Sequence, residues 1–215
     1  MTTYNFNDGN GSVPAHQHPN GGGWVADSAT VYVSAFVGPD AQVFDNARVY
    51  GKARVYDNAR VYDNARVSGK AQVSGNALVF GNAEVSDNAQ VYGYALVVGN
   101  ALVFGNAEVF GNAEVFGNAR VSGNAQVYGN AEVIGTARVY GNAQVSKTPV
   151  RIPRSDGYDF IIVPCADNVD RIIAGCRYFT YKEADKHWNK EHKMYAETSI
   201  ILEALKKLYE LQKSA

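Results

Sequence analysis

The stretch Val115-Phe116-Gly117-Asn118-Ala119-Arg120-Val121-Ser122-Gly123-Asn124-Ala125-Gln126 says one six-residue phrase twice: valine, an aromatic residue or serine, glycine, asparagine, alanine, a long polar residue. Worked outward, the phrase holds with Asp often replacing the glycine. Valine occupies every sixth position from Val25 to Val145 without a slip, giving 21 hexads, and alanine follows four residues later from Ala29 to Ala143. A period of six fits neither the helical repeat of about 3.6 nor the coiled-coil repeat of about 3.5. On a strand, Ala119 and Val121 point one way while Arg120 and Ser122 point the other. Gly/Asp followed by Asn tolerates turn and left-handed backbone conformations, so each hexad reads as a short strand plus a corner. Three corners close a triangular coil of 18 residues, and 21 hexads make seven coils.

Composition supports the same reading. Before residue 150 leucine appears only as Leu78, Leu96 and Leu102 and isoleucine only as Ile134, and the Val, Ala, Gly and Asn that fill the space are a poor recipe for helices. The 215 residues carry 20 Lys+Arg against 21 Asp+Glu, so no charge bias points to a nucleic acid polymer or a membrane surface. No apolar run approaches the roughly 20 residues needed to span a bilayer. Two cysteines make no disulfide framework, and the first 24 residues are polar and Gly/Asn-rich rather than basic-then-apolar, so a reduced cytoplasmic setting is expected.

The repeat resembles the hexapeptide-repeat family, whose pattern is aliphatic, small or acidic, two free residues, small, free. The resemblance covers residues 25 to about 148 and implies an all-β left-handed parallel β-helix, usually assembled as a homotrimer. The chain departs from the pattern after the valine, where Tyr50, Phe80, Phe104 and Tyr128 stand in place of small residues. The family includes many acyltransferases, which generally use a histidine as general base near a loop that interrupts the repeats. Here no histidine, cysteine or inserted loop lies between Val25 and Val145, so no catalytic residue is carried over.

Residues 18 apart stack on neighbouring coils, which sorts the outward side chains into three faces. The first presents Trp24, Phe44, Tyr62, Leu78, Phe80, Leu96, Val98, Phe116 and Ile134, an apolar stripe expected to pack against other protomers or beneath the chain's own C-terminal helix. The second stacks Arg48 on Arg66 and Arg120 on Arg138; stacked like charges need a carboxylate or an anion to offset them, and Arg48 and Arg66 continue into Glu84. These four arginines are the candidate anion-binding residues. The third mixes Gln72, Gln90, Gln126 and Glu108 with Tyr56, Tyr92, Phe110 and Tyr128.

Both open ends of such a helix need covering. Residues 1–24 form a turn-rich lead in which Trp24 is placed to cover the first coil. His16 and His18, on one side of an extended segment, are too few for a metal site by themselves. Residues 149–157, with Pro149 and Pro153, read as a linker. Beyond it, 158–215 read as a ββαα module: strands Tyr158–Val163 and Arg171–Ala174 around a turn Ala166-Asp167-Asn168, a capping box Thr180/Glu183 opening a helix from Tyr181 to about His192, and a helix over about Ala196–Gln212 with Ile201, Leu205, Leu208 and Gln212 on one stripe. The stretch Ile173–Thr180 with Glu183-Ala184 and His187-Trp188 is similar to a module attached to hexapeptide-repeat proteins of phages and prophages, as is the His-Pro-Asn-Gly lead at 16–23; that likeness implies the cytoplasm of a host cell. Cys165, Cys176, His187 and His192 lack zinc-knuckle spacing, so no metal or other cofactor is expected. The resulting expectation is a non-catalytic trimeric scaffold or binding protein that holds a small anionic ligand or nucleotide signal. The alternative is an acyl-CoA-dependent acyltransferase.

Overall fold

The computed structural model describes residues 2–165 and 167–214. Two strands open the chain, β1 (Thr3–Asn5) and β2 (Ser12–Gln17). Strands β3 to β23 follow, from Trp24–Ala26 to Gln144–Val145, and nearly all are two-residue pairs ending on the hexad valine. They sort into three parallel sheets in which each strand bonds the one 18 residues on, for example Val67 against Val49 and Val85. The result is a three-sided parallel solenoid of seven coils, as the hexad arithmetic requires.

The interior is a column of valine and alanine. Val37 to Val139 are fully buried, and Ala35 to Ala143 nearly so, in one continuous core. Small side chains stacked coil on coil, about 4.8 Å apart, fill this interior without gaps.

At the corners the left-handed residue is the first of the pair, Gly or Asp, and not the Asn: Gly51 through Gly141 at this position have φ of +65° to +75°. Asp45, Asp57, Asp63 and Asp87 adopt the same conformation at φ +53° to +61°. Each of these carboxylates accepts a hydrogen bond from the backbone N–H of the corner residue one coil on, at 3.0–3.3 Å. The following asparagines form amide ladders, such as Asn82–Asn100–Asn118 and Asn88–Asn106–Asn124–Asn142, with each Nδ2 donating to the next Oδ1.

The N-terminal lead is an ordered hairpin. β1 pairs antiparallel with β2, and β2 with β3, so the first sheet is extended at its open end. Tyr4 stacks on Trp24 at 4.4 Å and Phe6 on Phe44 at 4.8 Å. Trp24 is thus one layer of a stack, with the hairpin supplying the cover.

The far end is closed by a four-stranded antiparallel sheet, β24 (Arg151–Pro153), β25 (Asp159–Val163), β26 (Arg171–Ala174) and β27 (Arg177–Thr180), backed by α1 (Tyr181–His187) and α2 (Tyr195–Ser214). Two strands expected from the sequence are present and two more join them. β24 lies in the stretch read as a linker, where Pro153 is tolerated because the strand is an edge. Alternation along Phe160-Ile161-Ile162-Val163 makes the sheet two-faced. Ile161, Val163, Cys165 and Ile173 continue the solenoid core, whereas Phe160, Ile162, Ile172 and Ala174 pack with Trp188, Ile201, Leu202 and Leu205. Docking is completed by a bridge between Ala143 and Cys165 and by Gln144 N–H donating to the Pro164 carbonyl at 2.8 Å. Of the expected turn, Ala166 lies outside the described residues, and Asn168 takes the left-handed position at φ +59°.

α1 begins at Tyr181 behind the Thr180/Glu183 capping box but ends at His187, five residues early, because the chain turns at Trp188 to bury its indole. In α2 the buried stripe is Thr198, Ile201, Leu202, Leu205 and Tyr209. Leu208, expected on that stripe, is 47% exposed, since its direction falls between the packed face and solvent. No helix among the described residues is long and apolar enough to cross a membrane.

Candidate functional site

Register places the candidate arginines as the hexad spacing requires. On the second sheet Arg48 is paired with Thr30 and Arg66, Arg66 with Glu84, Glu84 with Leu102, Leu102 with Arg120, and Arg120 with Arg138. All four arginines are exposed. None forms an ion pair among the described residues, so Glu84 does not neutralise Arg66 by direct contact although they are neighbours on the ladder. Arg54 and Arg60 are held differently. Each guanidinium lies 4.9 Å over an aromatic ring, Phe36 and Phe44 respectively, and Arg60 Nη2 donates to the Phe6 carbonyl at 2.6 Å.

The residues read as one apolar stripe fall on two different parts of the coil. The outward positions on the first sheet run Trp24, Gln42, Arg60, Leu78, Leu96, Glu114 and Glu132 in register. Phe44, Tyr62, Phe80, Val98, Phe116 and Ile134 follow the valines and therefore run along the corner joining the first sheet to the second. Phe44, Tyr62 and Phe80 stack in series with centroids 4.9 and 4.7 Å apart. The N-terminal strand covers the beginning of the stripe, leaving Phe44 only 2% exposed beneath Phe6. The C-terminal helix, which was expected as one possible cover, packs on the terminal sheet instead. Leu78, Phe80, Leu96, Val98, Phe116 and Ile134 stay half-buried without that cover.

Charges flank this uncovered corner in an ordered way. Glu114 and Glu132 are stacked on the first sheet, while Arg120 and Arg138 are stacked on the second, each arginine six residues after its glutamate on the same coil. One coil earlier the two sheets present Leu96 and Leu102. Near the N-terminal end the pattern is different: beside Arg48 and Arg66, the first sheet offers Gln42 and Arg60 and no carboxylate.

The third sheet carries a polar ladder. Gln144 donates to Gln126 and Gln126 to Glu108, both at 3.3 Å, while the Tyr92 hydroxyl reaches Glu108 at the same distance. Tyr92, Phe110 and Tyr128 stack alongside with centroids 4.9 and 5.2 Å apart. Burial and the Glu108 carboxylate push the Tyr92 hydroxyl pKa up.

The histidines and cysteines occupy the ends. His16 Nδ1 meets the Asp27 carboxylate at 2.8 Å on the surface, whereas His18 is buried and its Nδ1 lies against the Asn20 backbone, so the two do not converge. Cys165 is buried with its Sγ 2.9 Å from the Tyr178 hydroxyl, and Cys176 is exposed on the β26–β27 turn. Among the described residues no three His, Cys, Asp or Glu side chains are grouped to hold a metal ion.

The hairpin cover had a legible signal. Thr3–Asn5 and Ser12–Gln17 alternate on either side of Gly9-Asn10-Gly11, the composition of two short strands and a turn. The Asp-to-backbone bonds had none, because they depend on the corner one coil away.

No curated protein matches the chain. A family model described as YdcK Beta solenoid repeat matches residues 41–57, 53–69, 71–87 and 113–129, pieces that each span about one coil and together cover well under half of the chain. With the coiled architecture described above, these matches identify a repeat β-solenoid protein whose coils are similar to the YdcK solenoid repeat.

Proposed function

We propose that the protein is a non-catalytic, homotrimeric β-solenoid scaffold, left-handed as the hexapeptide resemblance implies, that holds a small anionic ligand or nucleotide signal between protomers in the cytoplasm. The observation that carries the binding half is the in-register pair Arg48 and Arg66, exposed, stacked about 4.8 Å apart and without a carboxylate in ion-pair contact. Such a pair repels itself unless an anion sits across it.

The uncovered corner supports assembly. If three prisms meet with this corner at a threefold axis, the first sheet of each faces the second sheet of the next at equal height. Glu114 and Glu132 then oppose the neighbouring protomer's stacked arginine pair, Leu96 opposes a leucine, and the aromatic corner is buried at the axis. A heterologous contact of this kind closes into a ring. The same geometry separates the two arginine pairs: Arg120 and Arg138 gain carboxylate partners in the trimer, whereas Arg48 and Arg66 face Gln42 and Arg60 and keep their charge for a ligand. Acyl transfer would need a general base at this groove, but the four histidines stand at the two ends of the chain.

Native mass spectrometry of the purified protein tests both halves, because trimer mass and a retained small molecule are read together. In a thermal-shift screen against nucleotides and acyl-CoA, Arg48→Ala/Arg66→Ala is expected to lose the stabilisation seen with the unaltered protein. Retained stabilisation refutes the arginine site, and a monomer mass refutes the assembly.

A further inference from the structure

The terminal cap holds a cavity with a basic lining, separate in the fold from the arginine ladder. A cavity of about 260 Å³ lies between the β26–β27 turn and the segment joining α1 to α2, lined by Arg154, Cys176, Arg177, His187, His192 and Lys193 among others. Its volume is below the roughly 300–1,000 Å³ of pockets for drug-sized ligands, so its occupant is small.

The wall is strongly biased toward donors. Arg154 is already satisfied, with Nε and Nη2 on the two Asp156 oxygens at 2.9 and 2.6 Å and Nη1 on the Thr198 hydroxyl at 3.0 Å. That bidentate pair also consumes Asp156, the carboxylate lining this cavity. Arg177 and Lys193 form no ion pair among the described residues. The His192 ring is fixed by the Met194 N–H donating to its Nδ1 at 3.1 Å, which leaves the Nε2 proton of the neutral ring free. His187 is wedged between Phe179 and Trp188, with centroids 5.0 and 4.8 Å away, and its ring lies 5.9 Å from that of His192. Burial first, then Arg177 and His192, hold His187 below its usual pKa.

We propose that this cap cavity binds a small oxyanion, a phosphate or carboxylate, through Arg177, Lys193 and the two imidazoles. The backbone prepares the site. Gly175 takes the left-handed turn position at φ +62°, and a Cβ there would lie 2.6 Å from the Tyr158 ring, so the turn that presents Cys176 and Arg177 sits directly on Tyr158.

The full chain holds four histidines, and their ring resonances are resolvable by NMR. Titration with inorganic phosphate, pyrophosphate and succinate in separate arms is expected to move His187 and His192 saturably in at least one arm while His16 and His18 stay fixed. The phosphate and succinate arms distinguish the two anion chemistries. Arg177→Gln is expected to weaken binding about tenfold or more, the effect of losing one charge-assisted hydrogen bond. Should that variant misfold, Lys193→Gln on the helix connection gives the same reading, and protection of the exposed Cys176 thiol from alkylation by the bound anion gives a second measure. Arg48→Ala/Arg66→Ala is expected to leave this binding intact. Absence of a saturable shift with all three anions, equal shifts at His16, or unchanged affinity in both cap variants overturns the proposal.

Discussion

Replacing Gly93 by alanine and by aspartate separates two reasons for the corner chemistry. Gly93 sits at φ +75°, and a Cβ there would approach the Gly111 carbonyl oxygen at 3.0 Å and the Gly111 nitrogen at 3.1 Å. Alanine therefore meets a left-handed backbone cost of about 1–2 kcal/mol, plus crowding against a neighbouring corner that is itself backbone. Aspartate carries the same Cβ, but at four other corners an aspartate carboxylate takes the N–H of the next coil at 3.0–3.3 Å. A hydrogen bond to a charged group returns about 1.5–3 kcal/mol, enough to offset most of the cost. The expected order of stability is wild type first, Gly93→Asp within about 1 kcal/mol of it, and Gly93→Ala about 2 kcal/mol lower. Because a solenoid need not unfold in one step, the sharper assay is amide hydrogen exchange of the coil around Gly111. A loss of about 2 kcal/mol there speeds exchange about 30-fold. If alanine is tolerated as well as aspartate, or better, the side-chain bond to the next coil is not what places aspartate at these corners.

Three further outcomes rest on the assembly corner, the cap core and the cap's surface ion pair. Phe80→Glu on the corner is expected to convert the proposed trimer to monomer or aggregate, and Glu114→Arg/Glu132→Arg to do the same until Arg120→Glu/Arg138→Glu is added; light scattering that shows no change in mass, or no rescue, contradicts the facing arrangement. Phe160→Ala should cost about 3–5 kcal/mol, as for a fully buried aromatic, and should melt the cap before the coils, seen as a separate early transition in circular dichroism. Arg171 holds the Asp167 carboxyl at about 2, below its ordinary 3.8, so the cap gains stability from this pair above that ordinary value and loses it as pH falls toward 2. Asp167→Asn should flatten cap stability across that acid window, and an unchanged acid transition would discount the pair.

Much of this architecture is legible without coordinates because the repeat is strict. A side-chain period of two within strands and a chain period of six leave Val and Ala one destination, the lumen, so the three faces and the stacking of Arg48 on Arg66 follow from counting. The capping box at Thr180 is likewise local chemistry, and so appears where its residues stand. For Leu208 and the stretch around Pro153 the sequence reading differs from the structure because their fate depends on the partner surface: β24 forms by pairing with β25, and α2 packs across both.

The site divides along the same line. Sequence alone determined the coil count, the face on which each side chain projects, and the arginine ladder, since all three are consequences of a periodic backbone. Only the tertiary structure decided that Phe6 covers Phe44, that Glu84 leaves Arg66 without an ion pair, and that His187, His192 and Arg177 gather around one cavity. Those facts join segments with no fixed spacing between them, and the packing of one surface on another selects them rather than any local preference of the chain.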